Sequence, residues 1–281
     1  MKWLYLLIIA VVLSACQPQL VTRTVLPPSA TMEPTASLSP SQTTSPTSQP
    51  SQTMPMPTST IRAFQACSPL EEETLDTLSS ILVNPLVIPP FGRDDGHHGL
   101  DFSYYRRGER ESIQGIAVYA ILSGTTALTL PDEIPYGNTI VIETPLSELP
   151  ETLQENLKAI YQPVPEDVLY QGECPEITPP VFTGDLSVYH LYAHMEAPST
   201  FRAGDSIECG AALGTVGNSG RSSNPHLHLE TRLGPSNADL GDMAFYETVY
   251  TEQQRANYCL WRMSGYFQLF DPFLLFKSSG Q

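Results

Sequence analysis

Positive charge is scarce in this chain of 281 residues: 14 Lys and Arg stand against 30 Asp and Glu, for a net charge of −16. It contains no basic patch, so nucleic acid is not an expected partner. Such acidity also disfavours long-range attraction to anionic polymers, which leaves recognition to a cleft. The chain lacks an apolar stretch of about twenty residues, the length a membrane-spanning helix needs. Its apolar run Leu4 to Leu13 is about half that. There are five cysteines and no C-x-x-C pair, so a zinc–thiolate site is not expected. No H-E-x-x-H occurs either, and any glutamate base of that kind is excluded with it.

What is present begins with Met1-Lys2-Trp3, the apolar run, and then Ser14-Ala15-Cys16. A short basic start, about ten apolar residues and small residues at a cut site describe a secretory signal over residues 1–15. Leu13-Ser14-Ala15-Cys16 resembles a bacterial lipobox, which implies cleavage before Cys16 and diacylation of its thiol. The mature chain is then exported and held on a membrane surface by lipid. An ordinary signal peptide followed by a chance cysteine is the plainer alternative. From Gln17 to Thr60 the chain is dominated by Ser, Thr, Pro and Gln, with Arg23 and Glu33 as its only charges. It has too few apolar residues for a core and is expected to stay disordered. Such a tether would average roughly 40 Å as a coil and reach roughly 140 Å if polyproline-like. We therefore divide the chain into a signal (1–15), a lipidated cysteine with its linker (16–66) and one domain (67–281), long enough for a substantial core.

Beyond Cys16 the cysteines are Cys67, Cys174, Cys209 and Cys259, an even set that in an exported chain favours two disulfides. The expected pairing is Cys67 with Cys259, pinning the start of the domain to a late helix, and Cys174 with Cys209, pinning a Pro-rich loop to the core. Short β-branched runs predict strands at 116–121, 139–143, 188–194 and 227–232. Glycines from Gly204 to Gly220 predict tight turns between short strands. Helical periodicity is confined to 70–82, 150–161 and 252–263. The expected fold is mainly β, a compact antiparallel sheet or sandwich, with loop and short helical insertions at 145–185 and 234–264.

The histidines carry the chemistry. His97-His98-Gly99-Leu100-Asp101 is an H-x-x-x-D, and His226-Leu227-His228, about 130 residues on, is an H-x-H. Tyr192-Ala193-His194 lies between them. A catalytic zinc takes about three protein ligands and keeps one open position. His97, Asp101 and one histidine of the H-x-H would supply that set, leaving others for proton transfer. On an extended strand residues i and i+4, like i and i+2, share a face. His97 and Asp101 can thus converge from one strand, with Gly99 leaving room, and His226 and His228 from another. Taken singly, each histidine is more often structural. His98 is expected exposed or behind the ligands, His190 in packing on the face of Tyr192 and His194, and Glu230 in the sheet.

The ordered series H-x-G-x-D, Y-G-N with a strand, Y-x-H, G-D-x-I-x-x-G-x-x-L-G-x-V-G-x-S-G and P-H-L-H-x-E resembles the lysostaphin/LytM-type zinc endopeptidases over about residues 86–233. The resemblance implies one Zn2+ per domain, with His97, Asp101 and His228 as metal ligands and His194 and His226 as catalytic base or acid. It also implies a groove whose substrate is the peptide part of peptidoglycan, either glycine cross-bridges or D-alanyl cross-links. A tyrosine common before the first ligand is absent, since Phe91 is the only aromatic there; Tyr104 or Tyr105 could replace it. The insertion 145–185 could narrow or cover the groove. The expected protein is a monomeric, lipid-anchored endopeptidase facing the wall or periplasm; the alternative is an idle scaffold or an activator of a separate amidase.

Overall fold

Successive apolar positions such as Ile140-Val141-Ile142 and Val188-Tyr189, buried on both sides of the strand, call for a sheet with both faces covered. The computed structural model describes residues 64–172 and 174–278. The signal, Cys16 and nearly all of the linker lie outside the described residues. Its last residues do not: Phe64 packs on the core and Ala66 is buried in it, so packing begins slightly before the boundary at 67.

In chain order the elements are β1 (Leu82–Asn84), β2 (Leu100–Phe102), β3 (Ala117–Tyr119), β4 (Gly124–Glu133), β5 (Gly137–Pro145), α1 (Glu151–Ile160), β6 (Leu186–Met195), β7 (Ser206–Ile207), β8 (Ala212–Thr215), β9 (Leu227–Pro235), α2 (Glu252–Arg262), β10 (Gln268–Leu269) and α3 (Phe273–Lys277). The main sheet runs β1-β2-β9-β6-β5-β4-β7, with β10 also pairing β9, and β3 pairs β8 in a second, two-stranded sheet. All the pairings are antiparallel. No helix among the described residues is long and apolar enough to cross a membrane.

The main sheet buries two faces. On one, Ile140, Ile142, Val188, Tyr192, Leu227 and Leu229 meet Val118 and Leu213 of the small sheet and residues of α1 and α3. On the other, Val141, Tyr189, Leu191 and Ala193 meet Tyr258, Leu260 and Trp261 of α2, together with Phe267. Along β9 the alternation turns His228, Glu230 and Arg232 toward this second face. α2 begins with a capping box, in which Thr251 and Gln254 bond each other's backbone N–H reciprocally.

Two expectations need correction. Residues 70–82 do not form an α-helix; a single 3-10 turn spans Leu78–Ile81 and β1 follows. Local side chains compete for the backbone there: Thr77 Oγ1 accepts from Thr74 N (2.9 Å) and Ser80 Oγ donates to Thr77 O (2.7 Å). The disulfides join Cys67 to Cys209 and Cys174 to Cys259, not Cys67 to Cys259 and Cys174 to Cys209. Cys67 runs alongside Ile121, bonding its carbonyl, while Gly210 bonds Ala120. Cys67 and Cys209 are thereby brought to a Cα separation of 5.8 Å. The 162–185 segment instead lies toward the end of α2, through Gln171 bonded to Gly92 and Gly92 to Met263. Both pairs fall within the span a disulfide can bridge.

Candidate metal centre

Three backbone features aim the histidines. β9 presents His228 opposite Asp101 of β2 and opposite Ala193 of β6. His97 is not on β2 but on an isolated bridge to Val87. Gly99 separates the two: a Cβ there would stand 2.6 Å from Leu229 O and 2.9 Å from the His228 ring. The space left by Gly99 is thus filled by the imidazole. On β6, pairing with β5 shifts register between Tyr192 and Met195, and His194 takes φ +61°. This bulge breaks the period of two, so His194 does not share a face with His190 and Tyr192. A non-glycine residue in that region costs on the order of 1 kcal/mol, and such outliers gather at functional sites.

Hydrogen bonds then fix each ring. His97 Nδ1 lies 2.9 Å from Pro85 O, His194 Nδ1 2.9 Å from Ser219 O, and His226 Nδ1 2.8 Å from Asn224 O. A carbonyl only accepts, so each Nδ1 carries its proton outward and each Nε2 lone pair turns to the cleft. His228 is reversed: its Nε2–H donates to Glu230 Oε1 (3.2 Å) and Nδ1 faces Asp101 Oδ1 (2.7 Å). Asp101 Oδ2 is 3.1 Å from His97 Nε2, and Oδ1 is 3.5 Å from His226 Nε2. Ligand atoms of His97, Asp101 and His228 lie within 4.8 Å of one another, as do those of His194, His226 and His228.

Charge in the cleft calls for a cation. Burial pulls the His228 imidazole down, but its bonds to Asp101 and Glu230 outweigh this and push it up to about 9. Burial likewise raises the Asp101 carboxyl, yet bonds from His228 and His97 hold it well below the usual range. The pull that keeps a proton on His228 is one a divalent ion would answer. His194 is lowered to about 3, by burial first and then by the neighbouring His228 and His226, so it is neutral near pH 7. The donor set of two imidazoles and a carboxylate suits zinc.

Sequence reasoning assigned Glu230 to the sheet, and the structure gives it a further part. Fully buried, it accepts from His228, from Tyr136 Oη (2.7 Å), Arg232 Nε (2.8 Å) and Trp261 Nε1 (3.1 Å). Arg262 lies 3.6 Å away and is paired with Asp94. A carboxylate behind a ligand imidazole fixes its tautomer and raises its basicity. The signal was available: Glu230 is two residues past His228, on the same strand face. His98 is buried and not exposed, accepting from Arg232 Nη2 (2.9 Å); burial, with Arg262 and Arg232, lowers it to about 2. His190 is buried in packing as expected, against Thr144 and Tyr192.

The cleft, of about 270 Å³, is lined by these four histidines and Asp101, with Tyr136, Arg221, Ser222, Ser223 and Arg262 among its other walls. Neither Tyr104 nor Tyr105 lines it; Tyr105 is 79% exposed. Tyr136 is the aromatic hydroxyl beside the cluster, and its phenol donates to Glu230. Among the described residues of 145–185, none lines the cleft.

The model of Peptidase family M23 matches residues 181–240, a segment that holds His194, His226 and His228. His97 and Asp101 lie outside it and are brought in by the fold. The resemblance read from the motifs is shown by this match. No curated protein matches the chain. Among solved structures, the catalytic domain of the antimicrobial peptidase lysostaphin from Staphylococcus simulans is 15% identical, with 73% of this chain and 99% of that one covered and a TM-score of 0.35. A Pseudomonas aeruginosa structure described under peptidase M23 is 17% identical (78% and 56% covered, TM-score 0.32). A zinc containing peptidase from Vibrio cholerae is 16% identical (59% and 35%, TM-score 0.32). The chain thus spans about half the length of the second and about a third of the third.

Proposed function

We propose that this protein is a zinc endopeptidase that hydrolyses peptide cross-links of peptidoglycan, held at a membrane surface by lipid on Cys16. One observation carries the reading: four imidazoles each have the outer nitrogen bonded to a fixed acceptor, three of them (His97, His226 and His228) turn the inner nitrogen to Asp101, and the fourth, His194, groups with His226 and His228 in the same cleft. His97 Nε2, Asp101 and His228 Nδ1 would hold the ion. Bound there, zinc supplies an acidified water and polarises the scissile carbonyl. The chain's own groups do the rest. His194 and His226 offer Nε2 to the cleft, one to take the proton from the attacking water and one to return it to the leaving amine. Ser219 O and Asn224 O keep both rings in the tautomer this needs. The M23 match supports the substrate class, and the signal-like start with its lipobox supports export and anchoring.

The full chain with one equivalent of zinc should release a new amine terminus at one defined bond of cross-linked peptidoglycan, read by mass spectrometry, and chelation should abolish it. Release that persists under chelation, or none from any cross-link type despite bound zinc, contradicts the reading.

A further inference from the structure

The cleft contains two arginines in different states. Arg262 is largely covered, its side chain 11% exposed, and is committed to Asp94 and Glu230. Arg221 is exposed on the loop between β8 and β9, and its guanidinium lies 4.9 Å over the ring of Tyr246. Among the described residues it forms no ion pair, and its one hydrogen bond is from its backbone N–H to Pro135 O (2.9 Å). In a chain of net charge −16, an arginine left without a carboxylate at the mouth of the cleft needs a reason. Stacking restricts the side chain beforehand, so little freedom remains to be lost when an anion arrives.

The lip that carries it is firmly seated. Gly220 N–H donates to Asp132 Oδ1 (2.8 Å), and Ser222 Oγ donates to Asn218 Oδ1 (2.7 Å). Gly220 has φ +68° and a Cβ there would stand 2.3 Å from Gly137 N, so the loop rests directly on the turn before β5. Two residues after Arg221, Ser223 Oγ accepts from Asn224 Nδ2 (3.3 Å), and its own proton meets no acceptor among the described residues. A fixed cation and a free hydroxyl donor therefore share the wall next to His226 and His194.

We propose that Arg221, with the Ser223 hydroxyl, forms a carboxylate-binding subsite that selects peptides bearing a free carboxylate next to the scissile amide. This rests on the peptidase reading and narrows it. Cross-links through the amine of a diamino dicarboxylic acid carry such a carboxylate on the adjacent carbon; cross-links through the side-chain amine of a diamino monocarboxylic acid, or along an all-glycine bridge, do not. Arg221 would act by charge-assisted hydrogen bonding to the carboxylate, and so in binding.

The test uses the full chain and two synthetic cross-linked peptides, identical except that one carries a carboxylate and the other a carboxamide beside the scissile bond. With zinc bound, the acid should be preferred about tenfold in kcat/KM, through KM, consistent with one charge-assisted bond. Arg221→Gln should bring the ratio near one, and Arg221→Lys should restore part of it. Calorimetric binding of both peptides to the zinc-free chain should show the same preference without turnover. Equal handling of the two peptides by the unaltered chain, or a preference that survives Arg221→Gln, overturns the proposal. If neither peptide is cleaved, the peptidase reading fails, and the calorimetry still decides the subsite: equal binding overturns it, and a preference removed by Arg221→Gln upholds it.

Discussion

His228 is the residue through which the two halves of the site are joined, and Glu230 decides which of its nitrogens faces the cleft. Were Nε2–H not bonded to Glu230, the ring could present either nitrogen to Asp101. Glu230→Gln is expected to weaken zinc binding by about 10- to 100-fold, measured by competition with a chelator on folded protein. Stability should fall as well, since Arg232 loses its buried partner. If Glu230 served only the sheet, stability would drop while zinc affinity held. A second expectation concerns His190, which does not line the cleft and bonds Thr144 and Tyr192. Burial lowers it to about 3, against an ordinary value of 6.5. The unfolded chain therefore binds a proton below pH 6.5 that the folded one refuses, so stability is full above 6.5 and declines as pH falls toward 3. The slope from this one group is about 1.4 kcal/mol per pH unit. In His190→Gln, denaturation followed across pH 4 to 6.5 should show a slope smaller by about that amount; an unchanged slope contradicts the assignment.

At the scale of elements, α2 is the support of the site. Its Trp261 and Arg262 hold Glu230, and the Cys174–Cys259 bridge ties the helix to the 162–185 segment. Replacing both of these cysteines with serine should lower stability by about 4 to 5 kcal/mol for a loop of this length, and zinc affinity should fall with it. Removing Cys67–Cys209 should lower stability similarly and leave zinc affinity unchanged, because that bridge touches no residue of the cleft. Equal effects on zinc would deny α2 its role. Much at this scale was legible in advance. The strands at 139–143, 188–194 and 227–232 and the helices at 150–161 and 252–263 follow from period and composition. The helix expected at 70–82 failed because threonine hydroxyls bond the local backbone, a competition that periodicity does not register. The bulge at His194 was illegible for a related reason: it depends on the register against β5, which the sequence of β6 alone does not contain. Disulfide pairing depends likewise on which segments come to lie side by side.

For the whole molecule, the histidine motifs on separate segments were readable as one site because their residue types suit one metal. What could not be read was the layer behind them: Glu230, Arg232, Trp261 and Arg262 gather from β9 and α2, and no short motif joins those two. Two overlapping triads converge here, His97–Asp101–His228 and His194–His226–His228. The most direct measurement is anomalous diffraction at the zinc edge from crystals of the zinc-loaded protein. One peak bonded to His97 Nε2, Asp101 and His228 Nδ1, with His194 and His226 alongside and unbonded, is the expected result. A peak held by His194, His226 and His228, a bond through His228 Nε2, or no peak in the cleft would contradict it.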